Sequence, residues 1–394
     1  MRATERRART RTTVEVVEDP ETLDALAHRW DALAGATDRP ACSSRWMLAA
    51  ARASRLAALR TAVVRDGDEL IGVVPFAVER RGPLSCLRLL GADVTTGAEP
   101  LALPGREREV AEQACAALAA RRADLLMLDG IPDGSPWPRL IAQAWPRGNA
   151  ERLWRRDRHA ATSIELNGAD YETWLGTKGA KARHQLRRAE RRLSARGVEA
   201  LRTTDPERLT ADLDGFVDLH RRHWRARGGS PVLDDEVERM LRDAAPALLA
   251  ADQLDLWTLV ADGRPVFASV GLRAGEEAML WLNGADPAWR REPLTLGCLA
   301  AIVRDASERG VRRIALGPGE QEYKRRVADC ADGASWWWLP LPGPRAALAV
   351  AYVAAHRARR RAARGLPGRQ RERLQRLFGA CAVVGDRLAG TSFL

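Results

Sequence analysis

DLWTLVADGRPVFASVGLRAGEEAMLWLNGADPAWRREPLTLGCLAAIVRDASERGVRRIALGPGEQEYK, residues 255–324, is the stretch from which the fold is read. It divides into three short apolar runs closed by glycine turns, a helical span over 294–309, a fourth apolar run over 311–316, and a Gly317-Pro318-Gly319 corner that leads into Glu322-Tyr323-Lys324. Meander strands, a crossover helix and a returning strand make a mixed α/β sheet, because a parallel pair needs a long connection whereas antiparallel pairs need only a turn. Such sheets bind ligands outside the carboxyl ends of their central strands, which is where the polar trio falls.

Upstream, 180–194 places Ala182, Leu186, Ala189 and Leu193 on one helix face and Lys181, Arg183, Arg187, Arg188, Arg191 and Arg192 on the other,. Asp205-Pro206-Glu207 opens a helix that continues through His220, His223 and Trp224 to the Gly228-Gly229 stop, and another helix spans 234–250,. The same order of parts stands earlier in the chain. A strand is expected over 14–18, a helix from Asp19-Pro20-Glu21 to about 33, a helix over 45–55, a hairpin over 62–78 and a strand over 87–90. A helix over 107–121 and a buried strand over 125–128 complete it,. Asp66-Gly67 and Asp262-Gly263 lie 196 residues apart, and Gly91-Ala92-Asp93 and Gly284-Ala285-Asp286 lie 193 apart. Matching landmarks in matching order predict a duplicated α/β unit. The expected division is a basic arm over 1–13, a first domain over 14–158, a second over 159–342 and a basic helical extension over 343–394, with helices over 345–364 and 370–378.

At 394 residues the chain is long for one core, and 46% hydrophobic with 29% charged residues is a folded composition,. No apolar run reaches the length of a membrane span, and the Arg- and Thr-rich start lacks the apolar centre of a secretory signal. Cys42, Cys86, Cys115, Cys298, Cys330 and Cys381 show no paired spacing and predict reduced thiols in a cytoplasmic protein,. The 13 Trp include a run at 336–338 that is expected to alternate across a late strand. A net charge of +11 favours polyanions, whether nucleic acid, acidic lipid or a phosphorylated cofactor,. His220 and His223 stand three apart with no further ligands in a metal-binding spacing, so no metal is expected,.

KARHQLRRAERRL at 181–193, LHRRHWRARGG at 219–229, WLNGAD at 281–286 and LGPGEQEYKRRVA at 316–328 together resemble the GNAT superfamily of N-acyltransferases in its duplicated form. The resemblance is nearest to the BioF2-like, CelD-type acyltransferases, with the FemAB/FemX aminoacyl-tRNA-dependent transferases more distant. It covers about 14–342 and implies tandem GNAT-like domains, each a mixed twisted sheet flanked by helices, with the donor held by the second. It also implies N-acyl transfer from acyl-CoA to an amine of a small molecule or peptide. The alternatives are a FemX-like transfer from aminoacyl-tRNA, with tRNA on the basic helices, and a polyanion-binding protein that has kept the fold without the chemistry. The phosphate-loop region, Arg290 to Gly297, departs from the usual glycine pattern of the family.

Amide formation needs a proton acceptor for the attacking amine and a donor for the leaving group. Glu322 is the expected base, with Glu320 as substitute, Tyr323 the acid, and Asn283 an orienting amide. Arg290, Arg291, Thr295, Gly297 and Lys324 are the expected donor-binding residues; Arg183, His223 and Trp224 are the expected acceptor contacts.

Overall fold

A computed structural model describes residues 12–54, 58–226, 228–319 and 321–364. Most of the expected N-terminal arm, the helix expected over 370–378, Cys381 and Glu320 lie outside the described residues; Thr12 and Thr13 belong to the first strand.

The first half runs β1 (Thr12–Val17), α1 (Pro20–Ala25), α2 (Ala27–Ala36), α3 (Ser44–Ala53), β2 (Ala58–Asp66), β3 (Glu69–Arg81), β4 (Leu84–Leu89), β5 (Leu101–Ala102), α4 (Glu107–Ala119), β6 (Leu125–Pro132), α5 (Trp137–Ala144) and β7 (Trp154–Glu165). The second runs α6 (Tyr171–Thr177), α7 (Ala180–Ser194), β8 (Glu199–Arg202), α8 (Pro206–Arg225), α9 (Asp235–Ala250), β9 (Leu254–Ala261), β10 (Arg264–Ala274), β11 (Glu277–Ala285), α10 (Leu294–Glu308), β12 (Arg313–Pro318), α11 (Glu322–Val327) and β13 (Cys330–Pro340). The basic helix α12 (Ala346–Arg364) follows. The two Asp-Pro-Glu starts work alike: Asp19 caps α1 through the Thr22 N–H, and Asp205 caps α8 through the Glu207 N–H,. The helix expected to run to 33 breaks at Leu26, which ends α1 and begins α2.

The strands form one continuous mixed sheet in the order β1-β2-β3-β4-β6-β13-β7-β12-β11-β10-β9-β8, with β5 on β3. This order reads alike from both edges. Four strands of a meander lead in from each side, and the parallel pairs among the described residues, β4 with β6 and β11 with β12, stand at equivalent places. The last strand of each half crosses over: β7 pairs with β12, β13 pairs with β6, and β7 and β13 pair with each other in the centre. The expected boundary at 158/159 falls inside β7, so the half-sheets meet edge to edge.

Two hydrophobic clusters bracket the second half, and the larger runs through both halves. Trp46 on α3 meets Trp281 on β11 edge to face at 4.8 Å, and the Trp281 indole N–H donates to the Val94 carbonyl at 2.8 Å. The tryptophan run lies in β13, where strand alternation leaves Trp336 and Trp338 buried and Trp337 half-buried,. Cys42, Cys86, Cys115 and Cys298 are buried thiols and Cys330 is exposed.

Candidate functional site

β11 and β12 pair over three residues, Glu277 with Arg313, Ala278 with Ile314 and Met279 with Ala315, and then part. A bulge between Val270 and Gly271 shifts β11 against β10 over the same stretch, re-aiming the strand's side chains. The opening holds a cleft lined by Met279 to Asn283, by Leu316, Gly317 and Pro318, by Tyr323 and Lys324, and by Thr95 and Thr96 of the first half. It lies at the carboxyl ends of the two central parallel strands, where the sequence places the polar trio.

Three of the expected residues come together there: Asn283, Tyr323 and Lys324. Lys324 is 2% exposed, and its Nζ donates to the carbonyls of Gly317 at 3.2 Å and Pro318 at 2.9 Å. Burial pushes its pKa down to about 7, because the charged form loses more hydration than the neutral one. Burial drives Tyr323 the other way, well above the usual phenol range, so it remains a hydrogen donor at neutral pH. The left-handed backbone of Gly317, φ 73°, turns β12 toward α11 and brings Lys324 under the cleft,.

Glu322 is placed differently from its expected role. One residue before Tyr323 on a short helix, it points outward, is exposed, and pairs with Arg326 one turn on. Helix phase turns it away from the cleft that takes its neighbours. Arg290 and Arg291 are exposed on the turn before α10, Thr295 is half-buried in its first turn, and none of them lines the cleft. Gly297 serves packing: a Cβ there would meet Leu193 Cδ1 at 2.1 Å, so its bare backbone lets α10 lie close against α7. Arg183 donates to the Lys178 and Gly176 carbonyls and ties the corner between α6 and α7. His223 and Trp224 pack edge to face on α8, at 5.9 Å, away from the cleft lining.

Three features of the site stand outside the expected site residues. Thr95 and Thr96 reach the cleft from a loop almost two hundred residues away in the chain, a contact only the folded seam reveals. His220 is 1% exposed and joins α8 to the end of β11. Its Nδ1 lies 2.6 Å from the Asn283 carbonyl, which can only accept, so Nδ1 carries the hydrogen and Nε2 accepts from the Ser230 hydroxyl at 2.9 Å. Burial lowers its pKa to about 4, keeping the ring neutral. Gln321, at the N-cap of α11, is buried with neither amide atom hydrogen-bonded. Its place just after the Gly-Pro-Gly corner was the available signal. Among the described residues, no three His, Cys, Asp or Glu side chains gather as a metal site.

A parallel strand pair that splays over a cleft, with the crossover helix behind it, defines a GNAT-type acyltransferase fold. Residues 180–325, the span from α7 into α11 that builds most of the cleft, match the acetyltransferase (GNAT) domain family. Among solved structures the chain is similar to FemX, with TM-score 0.57 and 10% identity over 83% of this chain and 97% of that one. It is also similar to L-PGS from Bacillus licheniformis, with TM-score 0.51 and 12% identity over 85% and 96%. At these identities the likeness is one of fold. No curated protein matches the sequence.

Proposed function

We propose that the protein is an acyltransferase that forms an amide by direct attack of an amine on an activated acyl carbonyl held between β11 and β12. The observation that carries this reading is Lys324, a buried amine with a pKa of about 7 in the floor of the cleft. In this role its neutral form takes the proton lost by the attacking amine as the C–N bond forms. Tyr323 gives its proton to the leaving thiolate or hydroxyl as the bond to the carbonyl carbon breaks, and exchange with solvent restores both groups. Asn283 orients the reacting groups through its amide, and Thr95 and Thr96 form the far wall of the cleft.

The chain serves this chemistry as a duplicated unit, with 14–158 supplying the wall and 159–342 the donor side. The start of α10 bears on the donor. A pyrophosphate favours a helix N-terminus free of other anions, yet Glu292 stands just before α10 and is bonded by Arg192 at 2.6 Å and Arg196 at 3.2 Å. That carboxylate weakens the case for acyl-CoA bound in the common GNAT manner. It favours the second reading, an aminoacyl ester donor such as aminoacyl-tRNA, with the exposed Lys181, Arg188 and Arg191 of α7 along its phosphates,.

Native mass spectrometry of the full chain against a panel of acyl-CoA thioesters and charged tRNAs, followed by product detection with an amine library, tests both readings. Retention of one donor class and appearance of its amide product is the expected result. Absence of any amide product from either class overturns the assignment.

A further inference from the structure

The chemistry at the cleft leaves α12 unused. Its inward face is accounted for: Ala349 and Val353 are buried, Tyr352 stacks on Trp338 at 5.8 Å, His356 meets the same ring at 4.9 Å, and Arg360 pairs with Asp157. The outward face carries Ala347, Ala351, Ala354, Ala355 and Ala358, all exposed. Leu348 and Val350 form its two shoulders, and they are the exposed large hydrophobics of the described residues, at 44% and 36%. Three turns on, at 100° per residue, Arg359 and Arg361 occupy the same two shoulders, both exposed.

We propose that the outward face of α12 is a docking site for an anionic lipid bilayer surface. Two arguments select this occupant. The positive charge calls for an anionic partner, since Arg359 and Arg361 stand clear of the Arg360–Asp157 pair, and the sequence beyond the helix adds Arg369, Arg371, Arg373, Arg376 and Arg387 against two acids, Glu372 and Asp386. A nucleic acid would satisfy the charge, but it offers nothing to Leu348, Val350 and the alanine strip between them. A bilayer interface takes both, with the alkyl side chains among the acyl chains and the guanidinium groups at the headgroup phosphates. No helix among the described residues is long and apolar enough to cross a membrane, so α12 lies along the surface.

The test is flotation of the full-length protein with vesicles of phosphatidylcholine alone and with phosphatidylglycerol added, at low and high salt. A labelled RNA oligonucleotide is titrated in parallel. The expected result is binding to the anionic vesicles that weakens with salt. It falls at least about 10-fold in Leu348→Asp with Val350→Asp, and by roughly 30-fold in Arg359→Ala with Arg361→Ala. All four side chains are exposed, so circular dichroism and the unfolding midpoint should match the unchanged protein. Three outcomes overturn the proposal: no vesicle binding, vesicle binding indifferent to the Leu348 and Val350 changes, or RNA binding that depends on the arginines while vesicles are ignored.

Discussion

Beside β4 and beside β11 the chain spells the same triplet, Gly-Ala-Asp, and the two copies do different work. Gly91 has φ 71° and turns the chain out of β4; the loop that follows lays Gly97 against β6, its N–H donating to the Gly130 carbonyl at 2.9 Å. The gap where β4 parts from β6 is thereby closed by the chain's own backbone. Gly284 remains within β11 and is needed for another reason: a Cβ there would stand 2.3 Å from the His220 backbone nitrogen, so only glycine lets α8 lie on the strand. With β11 continuing straight, the gap beside β12 stays open and the loop from the first half becomes its wall. One gap is thus closed by structure and the other left open.

The sharpest way to break this contrast is at Lys324. Lys324→Met keeps the length of the side chain and removes the proton acceptor. Transfer should fall by at least about 100-fold, donor binding should change little, and the unfolding midpoint should hold, because a buried group that is costly to charge has been replaced by an apolar one. In the unchanged protein the rate should rise with pH through about 7, as Lys324 loses its proton. An undiminished rate in the variant would move the chemistry out of the open gap.

The sequence shows the fold class clearly because hairpin turns, Asp-Pro-Glu helix starts and the crossover helix are local signals. It shows Asn283, Tyr323 and Lys324 for the same reason, since all lie near strand ends that glycine turns announce. Three things were not legible. The crossing of β7 and β13 depends on pairing between residues far apart in the chain, and Thr95 and Thr96 reach the cleft only because the half-sheets join. The direction of Glu322 against Lys324 depends on helix phase, which the start of a six-residue helix does not fix from sequence alone.

A second test sets the two triplets against each other with one substitution. Gly284→Ala should cost about 2–3 kcal/mol, since the clash is with backbone that cannot swing aside. Gly91→Ala should cost about 1–2 kcal/mol, the penalty of a left-handed alanine, because the nearest atom is a side chain at an ordinary 3.7 Å,. Denaturant midpoints of the two variants read the difference directly, and equal losses would mean the two glycines share one role.

The seam offers a smaller, pH-dependent effect. β4 begins with Leu84, whereas β11 begins with Glu277, whose pKa burial pushes up to about 7 against the opposing pull of Arg313 and Arg39. The folded chain therefore holds a proton on Glu277 that the unfolded chain has released. The stabilisation it brings is fully present below the ordinary glutamate range and is lost as pH rises through 7. Glu277→Gln should flatten stability against pH between about 5 and 7, removing a slope of at most about 1.4 kcal/mol per pH unit. An unchanged slope would show that the carboxyl is ionised in the folded protein.

The smallest expected effect bears on the base. Read from sequence, Glu322 follows a glycine corner into the cleft and Glu322→Gln should cripple turnover. In the fold its carboxylate is exposed and spent on Arg326, while the cleft takes Tyr323 and Lys324. An exposed pair of this kind contributes at most about 0.5 kcal/mol, so Glu322→Gln should leave stability nearly unchanged and the rate within about twofold. The pH profile should keep its rise through 7, because the titrating group is the lysine. A large loss of turnover, with a profile that now lacks its basic limb, would require α11 to rotate in the working enzyme until Glu322 faces the open gap, and Lys324 would then be left to hold the Gly317 and Pro318 carbonyls.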